Sequence, residues 1–205
     1  MSTKETNNER QILEAAEEIF LEKGYNMAKT TEIAKKAGVT HAMLHYYFRT
    51  KENLFDKIFE KKAELISNIF FLQLGKDAPF LERLANAIEK HFDLLVDNPK
   101  LPGFLLFEIL NNESRKMRFL NSIKPKATSI IKRLQEEIDN EVLKGNVRPY
   151  KAYDLIYSIM SLNMTAFLMA PVIQTIRNMS DQRYNLFLQE RKKLNIEVLL
   201  SQLKV

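Results

Sequence analysis

The sequence predicts an all-α protein, and three observations predict it. Apolar residues recur at three- and four-residue intervals along most of the chain, the spacing of one face of a helix. Only 5 Gly and 6 Pro punctuate 205 residues, too few for a turn-rich β protein and suited to long helices broken at few places. A hydrophobic fraction of 45% beside 28% charged residues supplies a real core and argues against disorder. The pattern reads as a three-helix N-terminal unit, residues 1–50, followed by a helical bundle, residues 51–205, with about nine helices in all.

Ile12, Ala15, Ala16, Ile19 and Phe20 line one face of a first helix, while Glu14, Glu17, Glu18 and Glu22 fall largely on the other. Thr6 with Glu9 can form its capping box, and Gly24 stops it. A short second helix turns Ile33, Ala34 and Ala37 inward, with Thr30 or Thr31 as N-cap. Gly38-Val39 makes a tight turn into Thr40, and a third helix runs to Phe48 with Leu44 and Phe48 on its inner face. Thr50 caps a fourth, whose stripe runs from Leu54 and Phe55 through Ile58 and Phe59 to Ile69 and Phe70.

Gly75 to Pro79 interrupts the pattern, and Leu81, Leu84, Ala85, Ile88, Phe92 and Leu95 define the next helix, stopped by Asn98-Pro99. After Pro102-Gly103, a short apolar helix from Phe104 to Leu110 ends at Asn111-Asn112. A further helix is expected to start only after Pro125, carrying Ala127, Ile130, Ile131, Leu134, Ile138 and Val142, with a stop near Gly145. Two long helices close the chain, from about Lys151 to Ile173 and from about Asp181 to Leu203.

Leu155 to Ile173 is 19 residues without a charge, close to membrane-spanning length. Ser158, Ser161, Asn163, Thr165 and Pro171 dilute it, and no basic cluster flanks it directly, so burial in a core or a subunit interface is expected and no membrane partner. With no Cys, disulfides, thiolate metal sites and a cysteine nucleophile are excluded. The polar start, Met1 to Arg10, lacks the order of a secretory signal, and a cytoplasmic protein is expected. Three His, with no HExxH, nucleophile elbow or phosphate-cradling Gly loop, leave nothing for catalysis, and neither a metal site nor a cofactor is expected.

The net charge of +5 invites a nucleic-acid reading, but residues 1–60 are close to neutral, with nine Lys or Arg against ten Asp or Glu. Within residues 25–57 six basic residues face three acidic ones, so the basic signal is local. Two helices joined by a Gly-containing turn, roughly Thr30 to Phe48, have the form of a helix-turn-helix, and the outward face decides whether it is one. The first residues of the second helix of such a motif enter the major groove. Here they are His41, Ala42 and Met43, a polar ring and apolar surface of the kind that meets a thymine methyl. His45, Tyr46 and Tyr47 follow, with polar ends able to reach backbone phosphates. Lys51, a cation in the first turn of a helix, opposes the helix dipole, and a phosphate there would reverse the sign. Lys29, Thr30, Thr31 and Thr40 complete the candidate contacts to double-stranded DNA.

Residues Ile12 to Leu54 resemble the DNA-binding domain of TetR-family transcriptional regulators. The likeness lies in Ala15-Ala16, Phe20, Gly24-Tyr25, Thr30, Ile33-Ala34, Ala37-Gly38-Val39-Thr40, Leu44, Tyr46-Tyr47-Phe48, Lys51-Glu52 and Leu54. Ala42-Met43 stand where the family often has Gly-Thr, and His45 stands where it often has Tyr. The resemblance implies a larger C-terminal domain that binds a small-molecule effector and forms a homodimer through its last two helices, and with it a repressor released from a palindromic operator. Candidate pocket residues are Phe71, His91, Phe92, Phe104, Phe107, Tyr157, Met160 and Asn163, with His91 or Asn163 as polar fixtures, though all of them suit plain core packing as well.

Overall fold

The computed structural model describes residues 3–71 and 77–205, and the side chains of all of these except 3–6, 63, 66, 67, 70 and 71. The described residues form ten helices and no strand. In order these are α1 (Thr3–Met27), α2 (Thr30–Lys36), α3 (His41–Phe48), α4 (Lys51–Phe71), α5 (Phe80–Asp97), α6 (Leu101–Asn111), α7 (Glu113–Leu143), α8 (Ala152–Leu168), α9 (Ala170–Ile176) and α10 (Asp181–Ser201). Gly75, expected to interrupt the chain before Pro79, lies outside the described residues, as do the Thr6 side chain of the expected capping box and the Phe70 side chain of the α4 stripe.

Contacts divide the chain into two units: Met1–Glu64 with Phe104–Ser122, and Leu65–Gly103 with Ile123–Val205. The division falls inside α4, α6 and α7, whereas the sequence suggests a break after residue 50. The first unit buries Ile12, Ala16, Phe20, Ile33, Leu44, Leu54 and Phe55 completely. Each large apolar side chain removed from water there contributes about 1.5–3 kcal/mol. The Phe55 ring meets Phe20 edge-on at 5.1 Å and lies near Phe59 and Phe104, and Phe59 meets Phe119 at 4.6 Å. These aromatic contacts tie α6 and the start of α7 into this unit.

In the second unit α5, α7, α8 and α10 share a core of Leu84, Ile88, Leu134, Ile138, Leu155, Ile159 and Leu199. A second cluster joins Phe92 and Leu95 of α5 to Ala166 and Phe167 of α8 and to Tyr184 and Leu188 of α10.

Two prolines act differently from what the sequence suggests. The sequence places a helix start after Pro125, yet α7 begins at Glu113 and runs through it. Asn112 opens that helix by accepting the Arg115 backbone N–H at 2.8 Å. Pro125 removes one helical donor, and because Asn121 and Pro125 are both exposed, the Asn121 carbonyl it would have bonded faces water. Pro171, in contrast, does break its helix. The single helix expected from Lys151 to Ile173 is two, α8 and α9, bent by 56° at Met169. Among the described residues no single helix is long and apolar enough to cross a membrane, although α8 and α9 would pass that test together. The inner face of α8, with Leu155, Ile159, Asn163 and Phe167, is buried in the protein core.

Candidate nucleic-acid interface

The first unit builds its outer face from the starts of α2, α3 and α4. Gly24, at φ 73 and ψ 170, interrupts α1 in a conformation that disfavours a side chain, and releases Tyr25 from the helix. By sequence either Thr30 or Thr31 could cap α2, but Lys29 is the N-cap and makes no side-chain cap. The Thr30 hydroxyl lies 2.9 Å from His41 Nε2 instead, so the first residue of α2 meets the first residue of α3. The Gly38-Val39 turn forms as expected: Gly38 N–H donates to Lys35 O and Val39 N–H to Ala34 O, with Gly38 at φ 67. Thr40 then caps α3, its hydroxyl accepting the Met43 N–H at 3.2 Å.

Leu44 and Phe48 point into the core as the spacing predicts. His41, Ala42, His45 and Tyr46 are exposed, Tyr46 by 77%, while Met43 and Tyr47 are half-buried. The His41 and His45 rings meet edge-on at 4.4 Å, and those of Tyr46 and Tyr47 at 5.4 Å. His45 Nδ1–H donates to the Arg49 carbonyl at 2.8 Å, so part of its polar capacity is used within the chain.

Arg49 is the residue that sequence reasoning left out. It stands at φ 58 and ψ −50, with Thr50 N–H donating to Phe48 O at 2.6 Å, a strained γ-turn between α3 and α4. No turn residue announces this in the sequence. Thr50 caps α4 as expected, accepting the Asn53 N–H at 3.0 Å.

Lys51 is not freely solvated. Its ammonium sits 4.4 Å over the Tyr25 ring and donates to Asn26 O at 3.4 Å. Burial, and then the charge of Arg115, hold it below the ordinary lysine value, while Glu108 opposes that shift. Lys23 and Lys36 are paired with Glu32 and Glu18, which withdraws Lys36 from the local basic excess. Lys29, Thr31 and Lys35 carry no such ion pair among the described residues.

The structure does not gather the eight expected pocket residues. His91, Phe92 and Asn163 are buried in the second unit, with Met160 half-buried there. Phe104 belongs to the first unit's core, Phe107 and Tyr157 are exposed, and the Phe71 side chain lies outside the described residues. Asn163 Nδ2 donates to Ile88 O and to His91 Nδ1, both at 3.1 Å, and Asn195 Nδ2 donates to Asn163 Oδ1 at 2.9 Å. Burial holds the His91 imidazole down to about 4. A groove of about 260 Å³ between α8, α9 and α10 is walled by Leu162, Ala166, Ile173 and Phe187, with Arg191 at its edge, and none of the eight lines it. Among the described residues no cluster of His, Cys, Asp or Glu could hold a metal ion.

Residues 12–58 match the family described as "Bacterial regulatory proteins, tetR family". The chain belongs to the TetR family. It is 27% identical over 177 residues, 86% of each protein, to the fatty acid metabolism regulator protein of Bacillus subtilis (strain 168). Over 52 residues, 25% of this chain and 28% of that protein, it is 44% identical to the transcriptional regulator QacR of Staphylococcus aureus (strain Mu50 / ATCC 700699). Its fold is similar to the transcriptional regulator FadR from Bacillus subtilis, solved in complex with stearoyl-CoA, with a TM-score of 0.71 at 23% identity over 94% of this chain and 98% of that one. These relatives are regulators, not enzymes, and this TetR-family chain is a DNA-binding transcriptional regulator of a ligand-responsive kind.

Proposed function

We propose that the protein is a homodimeric repressor that binds a palindromic operator through α3 and leaves it when a small-molecule effector binds the second unit. The observation that carries the DNA reading is the exposed His41, Ala42, His45 and Tyr46 face of α3, flanked by Lys29, Thr30 and Thr31 on one side and Tyr47 and Lys51 on the other. In this reading His41, Ala42 and Met43 meet base edges, while Thr40 and the flanking residues contact phosphates.

Dimerisation is supported by exposed apolar side chains on the last helices, among them Tyr157, Val172, Ile176, Leu186, Leu194 and Val198. A dimer sets two copies of α3 about 34–36 Å apart, or a multiple of it, and a ligand that favours another spacing draws the protein from DNA. The effector class we favour is a long-chain acyl thioester, because the similarity to the fatty acid metabolism regulator runs far beyond residues 12–58.

Selection from random duplexes at two salt concentrations tests the first part, and a palindromic winner is the expected result. Weak, salt-erased binding without sequence preference would remove the regulator reading. Titration of stearoyl-CoA into the complex with the selected duplex tests the second: release is expected, and unchanged operator affinity would exclude this effector.

A further inference from the structure

Deep in the first unit lies an ion pair that the DNA-binding reading does not use. Glu108 of α6 is 1% exposed and accepts from Arg115 Nε at 2.9 Å, and Arg115 is itself buried. Glu108 also accepts the backbone N–H of Tyr25 at 3.3 Å, across 83 residues of sequence. The Arg115 guanidinium lies 4.0 Å from the centre of the Tyr25 ring, the same ring that carries the Lys51 ammonium. Two cations therefore share one aromatic ring, and Glu108 is the carboxylate that compensates them.

A buried ion pair is a poor device for stability, since apolar residues of similar volume often do as well. It does fix geometry. We propose that Glu108 and Arg115 are positioning residues for DNA binding: through Tyr25 they hold Lys51 at the start of α4, where it meets a phosphate. Without the carboxylate, Arg115 faces Lys51 uncompensated and drives the ammonium from its place. The inference rests on the phosphate contact assigned to Lys51 above.

The experiment is a salt titration of the full-length protein on the selected duplex, comparing the wild type with E108Q, K51A and E108Q/K51A, each checked for folding by circular dichroism. Glu108→Gln keeps an acceptor for the Tyr25 N–H and removes only the charge. One lost phosphate contact lowers the slope of log K against log salt by about 0.9. The expected result is that loss in E108Q, the same loss in K51A, and no further loss in the double variant. A slope unchanged in E108Q, or losses that add in the double variant, would overturn the proposal. If K51A alone left the slope unchanged, the phosphate reading of Lys51 would be what failed. Should E108Q not fold, Y25L decides: removing the shared ring must lower the slope as K51A does, and a wild-type slope refutes the positioning role.

Discussion

At the scale of single residues, the joint between α3 and α4 shows how a local strain is held. Arg49 occupies a positive-φ conformation that costs about 1–3 kcal/mol for a residue with a side chain. The His45 Nδ1–H bond to the Arg49 carbonyl and the buried Phe48 beside it keep it there. Arg49→Gly is therefore expected to raise stability by about 1 kcal/mol in chemical denaturation, and His45→Ala to lower it by a similar amount. A His45→Ala variant that kept its stability but lost selectivity at one operator base would make His45 a base reader instead. His91, in the second unit, sets a pH dependence. Its folded value of about 4 lies below the ordinary imidazole value of 6.5, so the unfolded chain binds the proton first as pH falls. The stability it contributes is complete above about pH 6.5 and is lost towards pH 4, by at most about 3 kcal/mol. The stability gap between wild type and His91→Phe should narrow between pH 7 and pH 4.5, and a constant gap would count against it. The groups of the outer face were legible because their types are informative at the start of a helix. Arg49 and the Glu108–Arg115 pair were not, since a γ-turn at an arginine and a contact across 83 residues leave no local pattern.

At the scale of elements, α7 separates proline's two effects. Pro125 lies inside a 31-residue helix, at an exposed position. It costs a hydrogen bond and a steric clash, about 3 kcal/mol in a helix interior, against which its restriction of the unfolded chain returns less than about 1 kcal/mol. Pro125→Ala should then stabilise the protein by about 2 kcal/mol, read as a rise in the denaturation midpoint at unchanged m-value, whereas destabilisation would show that the proline shapes the packing of α7. Apolar periodicity made the helices readable in type and near-position, α5 and α10 above all. It could not say whether a proline ends a helix, because that depends on what lies opposite the lost hydrogen bond. Water lies there at Asn121, and at Met169 the chain bends instead.

At the scale of the whole molecule, the proposed dimer makes the strongest quantitative demand. Two recognition helices on one rigid body bind a palindrome with the second contact made at a high effective concentration, which strengthens binding by about 10²–10⁴ over one half-site. Ile176, 78% exposed, and Leu186, 63% exposed, are apolar positions that water would not favour unless something covers them. Charges placed there, as in Ile176→Asp with Leu186→Glu, should leave the helices folded, because neither side chain belongs to the core. Sedimentation should then report a monomer, affinity for the full palindrome should fall by two orders of magnitude or more, and affinity for an isolated half-site should stay as it was. A dimer that survives both charges would move the interface to another face. A monomer that still bound the palindrome at full strength would mean that the two half-sites are read independently, and the spacing mechanism for effector release would have no lever to act on.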